Sequence, residues 1–250
     1  MKTYRLFILS AGKGTRLLPL TKDTHKSLVK LSDNSCISER QIRSAAESGV
    51  IDEIYIITGY MHEKIEAFVS QYQNLIPIKT VYNPFYDVSN NLHSLWSAVY
   101  FMYEKDFIIT NGDNIYLSNI FKKIITDKKE TIQVTIDRKE KYDSDDMKVS
   151  FIKNKIIRIH KDIEIKNTKA ESVGLCLVQG EKSRKIFADK IIELVKNKEY
   201  INRFWLEIFN SLINDEQKEI DYCYIDSNSW QEIDFHPDIE IVKKIFSAKI

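Results

Sequence analysis

Apolar and polar positions alternate along the chain at two different periods. Residues 4–10 (YRLFILS) form a short apolar run ending in small residues, the pattern of a buried strand. Residues 37–49 change to helical spacing, with Ile37, Ile42, Ala45 and Ala46 on one side and Gly49 as the stop. The same alternation continues with strands over 53–58, 78–82 and 106–110 and helices over 62–72 and 92–103. Strands separated by helices of this length predict a mostly parallel sheet covered on both faces.

The second half has a different rhythm. TIQVTID (131–137), KVSFIK (148–153) and KIIRIHK (155–161) are consecutive strands broken by polar turns, which predicts an antiparallel region. A further strand is expected at 172–178, helix over most of 183–213, a late strand at 222–226, and a terminal helix opened by Pro237. No Pro/Gly/Ser-rich linker and no internal repeat interrupts this order. The expected architecture is therefore one α/β domain spanning 1–250, a Rossmann-like three-layer α/β/α fold with a mixed sheet and an antiparallel insertion in its second half.

Composition narrows the partners. Lys+Arg 37 against Asp+Glu 36 leaves a net charge of +1, which argues against wholesale binding of nucleic acid or membrane by charge. The three cysteines are far apart in sequence and form no CxxC pair, so they read as free thiols of a reducing compartment. MKTYRLFIL has two cations before a short apolar run, but the run is too short for a signal peptide and charge follows it. No apolar stretch approaches the ~20 residues that span a bilayer. A soluble cytoplasmic chain is expected.

The stretch LSAGKGTRLLPLTKDTHKSL, residues 9–28, follows the first strand and carries the first chemistry. It lacks the GxxxxGK[ST] spacing, and Leu17 replaces the third glycine of the dinucleotide fingerprint. Gly12 and Gly14 nevertheless let backbone N–H groups approach an anion, and Lys13, Arg16, Lys22 and Lys26 add positive charge. An ordinary tight turn is the plain alternative. The stretch lies where an α/β sheet places its ligand crevice, at the carboxyl end of a strand, and that favours a phosphate site.

G-K-G-T-R-L-L-P-L-T…H-K-S-L resembles the signature G-x-G-T-R-x-x-P-x-T…P-K-x-L of the nucleotidylyltransferase (pyrophosphorylase) family. His25 stands where that signature has proline. NPFYDVSNNLHSL (83–95) is similar to the N-x-x-Y…N-N-x-x-S-L segment of bacterial phosphocholine cytidylyltransferases, one branch of the family. ITNGDNIY (109–116) and WQEIDFHPDIE (230–240) match its two metal-carrying segments. The resemblance implies that Ser10, Ala11, Gly12, Lys13, Gly14, Thr15, Arg16 and Asn90 hold the nucleotide. It implies that Lys26 clamps the acceptor phosphate and that Asp113 and Asp234 hold Mg²⁺. Arg16, Lys26, Asp113 and Asp234 are thus the expected catalytic set, with residues 1–125 as the nucleotide half, 126–236 as the acceptor half and 237–250 as a closing helix.

Each residue also has a plainer reading. Asp113 within G-D-N suits a turn. Asp234 lies between Ile233 and Phe235, where a buried carboxylate needs either a cation or a local Lys or Arg partner. One of Asn90 and Asn91 suits the N-cap of the helix beginning at Leu92. For the acceptor, Lys26, Asn91, Trp96, Arg203, Trp205 and Glu232 are the expected contacts, although Trp and Tyr are commonly core. Arg203 disfavours a choline head group if it faces the pocket. Tyr60, Tyr86, Phe204, Asp145, Asp146 and Glu171 supply further aromatic and acidic material for an ammonium cage. The leading expectation is a Mg²⁺-dependent transfer of CMP from CTP to a small phosphate or phosphonate acceptor, giving a CDP-linked product and pyrophosphate. A sugar-1-phosphate nucleotidylyltransferase is the alternative enzyme, and a nucleotide-binding regulatory protein the non-catalytic one. Oligomeric state is open.

Overall fold

The computed structural model describes residues 2–240. In chain order the elements are β1 (Tyr4–Ser10), α1 (Ile37–Ser48), β2 (Ile51–Thr58), α2 (His62–Val69), β3 (Ile78–Tyr82), α3 (Asn91–Trp96), β4 (Phe107–Asn111), β5 (Asn114–Tyr116) and α4 (Asn119–Lys123). They continue with β6 (Thr131–Asp137), β7 (Lys148–Ile152), β8 (Lys155–His160), β9 (Ala170–Gln179), α5 (Glu181–Val195), α6 (Glu207–Glu216), β10 (Asp221–Tyr224) and β11 (Trp230–Glu232). Strands β10-β6-β9-β4-β1-β2-β3 lie side by side in that order.

The alternation of β1 explains the layers. Tyr4, Leu6 and Ile8 point to one face, where they meet Ile42 and Ala45 of α1, Ile65 and Val69 of α2, and Phe121 of α4. Phe7 and Leu9 point to the other, against Leu92 and Leu95 of α3, Phe187 and Ile191 of α5, and Phe209 of α6. The result is the Rossmann-like three-layer α/β/α arrangement expected from the pattern. Pairing is parallel for β1 with β2 and β4, for β2 with β3, and for β6 with β10. Strand β9 is antiparallel to both β4 and β6, and the β7–β8 hairpin hangs from its start.

Two expected helices are altered. The helix over 92–103 stops at Trp96 and resumes as a 3₁₀ turn over Val99–Met102. The three-residue turn puts Val99 and Met102 on one line, and both are fully buried. The expected helix over 183–213 is two helices, α5 and α6, separated by a loop that carries Trp205 into the core. Residues 236–240 are helical, and the rest of the expected closing helix lies outside the described residues. No helix among the described residues is long and apolar enough to cross a membrane.

A third, smaller core positions the chemistry. Leu17, Val29, Leu31, Ile37, Ile115, Ile233 and Ile239 pack together, joining the segment after the glycine loop to the β5–β11 ribbon.

Candidate active site

β1 and β4 are parallel neighbours, so their carboxyl ends, Ser10 and Asn111, open side by side into a cleft of about 330 Å³. The chain after β1 turns sharply at Gly14, whose φ is +63°. A Cβ there would stand 2.6 Å from the Lys26 Cβ, so only glycine allows the loop to lie on that lysine. Thr21 donates to the Gly14 carbonyl at 2.9 Å and closes the loop.

His25 takes over the turn in place of proline. Its Nδ1 accepts from the Ser27 N–H at 3.1 Å and caps the 3₁₀ turn Lys26–Leu28. Burial, with the Lys26 charge beside it, lowers its pKa to about 4, so the ring is neutral near pH 7. A neutral ring that accepts at Nδ1 carries its proton on Nε2, which is buried.

That turn aims Lys26 into the cleft. Its ammonium donates to Asp113 Oδ2 and Asp234 Oδ1, each at 2.8 Å. Burial opposes the Lys26 charge, but the two carboxylates outweigh it and raise the pKa above the usual lysine value. Arg16 pairs with Asp234 through a short contact and with Asp145 Oδ2 at 2.9 Å, while its guanidinium lies 5.6 Å from the Phe235 ring centre. The two aspartates come from distant strands held together by main chain. β11 pairs antiparallel with β5, and the Ile233 N–H donates to the Asp113 carbonyl at 2.9 Å. The Asp238 carboxylate accepts from the Asp234 and Phe235 N–H groups and fixes the turn beyond.

Oxygen atoms of Asp113, Glu232 and Asp234 lie within 4.8 Å of one another. Water reaches Glu232 through the open cleft, yet protein surrounds its carboxyl on most sides. Removal from bulk water, then the charges of Asp113 and Asp234, push it up to about 8. The second oxygen of Asp113 is buried without a partner. An all-oxygen donor set with an orphaned carboxylate oxygen fits a hard divalent cation.

Residues 6–146 match the nucleotidyl transferase family. The chain belongs to that family. It is 27% identical to the CTP:phosphoglutamine cytidylyltransferase of Campylobacter jejuni over 94% of this chain and 97% of that one. It is 34% identical to the choline-phosphate cytidylyltransferase of Streptococcus pneumoniae over 49% of this chain and 50% of that one. Among solved structures, the CTP:phosphocholine cytidylyltransferase of S. pneumoniae superposes with a TM-score of 0.74, at 24% identity and over 98% of this chain and 99% of that one. That likeness is one of fold.

Most of the residues expected at the site from sequence meet in the cleft. Ser10, Ala11, Gly12, Gly14, Arg16, Lys26, Asn90, Asn91, Asp113, Trp205, Glu232 and Asp234 all line it. The asparagines are also structural: Asn90 caps α3, and Asn91 Oδ1 accepts from the Trp205 N–H at 2.8 Å. Trp205 is core on one side and donates its indole N–H to Asn111 at 2.9 Å on the other.

Four expected contacts do not line it. Lys13 pairs with Asp87 at the surface, and Thr15, which opens the 3₁₀ turn, is exposed. Trp96 ends α3 on the outside, 36% exposed. Arg203 faces a separate pocket beyond Phe204, because the Tyr200–Trp205 loop turns it outward. The cation that does face the cleft on this side is Lys161, just after β8, which sequence reading missed. Its signal is faint: a basic residue at the end of an exposed hairpin is ordinarily solvated.

Proposed function

We propose that the chain is a Mg²⁺-dependent cytidylyltransferase that transfers CMP from CTP to a small phosphate or phosphonate acceptor and releases pyrophosphate. The observation that carries this reading is Lys26, on the segment after the glycine loop, bonded at 2.8 Å to two aspartates 87 and 208 residues away. Cations for phosphates and carboxylates for a metal thus share one point. The preference for CTP is supported by the two relatives above, both named as cytidylyltransferases.

In the reaction, an acceptor oxygen attacks the α-phosphorus of CTP in line. The bond from that phosphorus to the bridging oxygen of the β-phosphate breaks, and pyrophosphate leaves. The attacking oxygen is already anionic and needs no general base. The obstacles are repulsion between anions and charge growing on the leaving group, so positioning and electrostatics supply the catalysis. Backbone N–H groups of the Gly12–Gly14 loop face the triphosphate. Arg16 exchanges its aspartates for the β- and γ-phosphates, and Lys26 exchanges its own for the acceptor phosphate. Asp113, Asp234 and Glu232 would hold Mg²⁺, which supplies Lewis-acid neutralisation of phosphate charge. Residues 1–125 serve mainly the nucleotide and 126–236 the acceptor, in the cytoplasm where CTP is made.

Pyrophosphate release measured with each of four NTPs against phosphocholine, phosphoethanolamine, 2-aminoethylphosphonate, phosphorylated amino acids and sugar 1-phosphates tests the reading. Turnover is expected with CTP and a non-sugar acceptor. Turnover confined to a sugar phosphate, or to another NTP, refutes it.

A further inference from the structure

The cleft has a corner built for an organic cation, and the protein fills it itself. From Asp234 the Arg16 guanidinium reaches Asp145, so this corner stands one side chain away from the acidic centre. The other oxygen of Asp145 holds the Lys161 ammonium through a short ion pair. The same ammonium lies 5.3 Å from the centre of the Phe204 ring. Asp145, Lys161 and Phe204 all line the cleft. A carboxylate opposite an aromatic face is the arrangement that receives a trimethylammonium group. Here it already has an occupant on a flexible stem, 28% exposed and therefore within reach of a ligand.

The charge around the corner decides what a bound acceptor meets. Asp145 is shared between two cations, Lys161 and Arg16, the latter also held by Asp234, so its carboxylate already has two partners. The second acidic pair nearby, Asp146 and Glu171, is bridged by Lys139 at 2.9 Å and 2.8 Å. An entering trimethylammonium has no N–H to offer Asp145, and it must displace Lys161 or sit beside it as a like charge. An entering carboxylate meets the remaining N–H groups of Lys161 as a charge-assisted partner.

We propose that Lys161 selects the acceptor: it fills the corner of Asp145 and Phe204, so the cleft admits phosphorylated compounds whose remote end is a carboxylate and refuses those ending in trimethylammonium. This deepens the cytidylyltransferase reading and rests on it. Specificity here comes from a repulsive element as much as from an attractive one.

The test compares O-phosphoserine with phosphocholine, both with CTP, in the wild type, Lys161→Ala and the Lys161→Ala/Phe204→Ala double variant. The wild type is expected to favour O-phosphoserine by at least tenfold in kcat/KM. Lys161→Ala should move that ratio toward phosphocholine by at least thirtyfold with KM for CTP unchanged, and the double variant should lose the gain. A ratio that moves less than threefold in an active enzyme overturns the proposal, as does a wild type that prefers phosphocholine. If the wild type releases no pyrophosphate from CTP with any acceptor, the cytidylyltransferase reading falls instead. Calorimetric titration of phosphocholine then decides the corner alone: binding at least tenfold tighter to Lys161→Ala supports it, and equal binding overturns it.

Discussion

Replacing Lys26 by alanine should produce two effects of opposite sign. The Lys26 ammonium sits 2.8 Å from both Asp113 and Asp234. Without it, the oxygens of Asp113 and Asp234 face each other within 4.8 Å, and an ionised pair that close repels by at least about 3.5 kcal/mol at an effective dielectric of about 20. Arg16 still pairs with Asp234, but Lys26 no longer competes for the two carboxylates, so metal affinity should rise, by roughly tenfold for each ~1.4 kcal/mol of relieved repulsion. In turnover the same lysine is proposed to hold the acceptor phosphate as charge develops. Loss of one preorganised electrostatic group typically lowers kcat by about 10²–10³. Steady-state pyrophosphate release gives kcat and both KM values, and Mn²⁺ titration followed by electron paramagnetic resonance gives the metal affinity. Lys26→Met, which retains the stem packed against Gly14, separates loss of charge from loss of packing. A kcat within threefold of wild type, a defect confined to KM for CTP, or weaker Mn²⁺ binding would each refute the reasoning.

Other outcomes follow from the same geometry. Asp234→Asn removes the carboxylate charge that Arg16 and Lys26 share and one proposed metal ligand; kcat should fall by about 10³ with the circular dichroism spectrum unchanged, and more than a tenth of wild-type activity would remove Asp234 from the site. His25 has a folded pKa of about 4 against about 6.5 unfolded, so the unfolded chain binds the proton first; its contribution is intact above pH 6.5 and is lost as pH falls toward 4, by about 3 kcal/mol. The difference in urea stability between wild type and His25→Asn should therefore shrink across that window, and a constant difference would contradict the assignment. Gly14→Ala combines a left-handed φ of +63° with a 2.6 Å approach to the Lys26 Cβ; it should cost about 1 kcal/mol or more of stability and displace Lys26, and unchanged kcat together with unchanged Tm would refute this.

What was legible in the sequence was what is local. The strand at residues 4–10 and its neighbours could be read from alternation because each strand's burial is set by its own side chains. The placement of β9 between β4 and β6 could not, since strand order depends on pairings across long loops. The β5–β11 ribbon escaped for the same reason: two three-residue strands carry no period. The site divided along this line. Arg16, Lys26, Asp113 and Asp234 stood out through a patterned motif, whereas Lys161 became visible only when the hairpin folded over Phe204. Arg203 misled because a loop's direction is not written in its composition.

The small core of Leu17, Val29, Leu31, Ile37, Ile115, Ile233 and Ile239 has a consequence for synthesis. Arg16 and Lys26 leave the ribosome early, while Asp234 and the two isoleucines that anchor its turn emerge more than two hundred residues later. A nascent chain halted before that point can pair β1 with β2 and β4, but its small core lacks Ile233 and Ile239 and its lysine lacks one of its two carboxylates. On the proposed assignment of Asp234 to the metal, an interrupted chain is expected to be inert until the last of these residues docks.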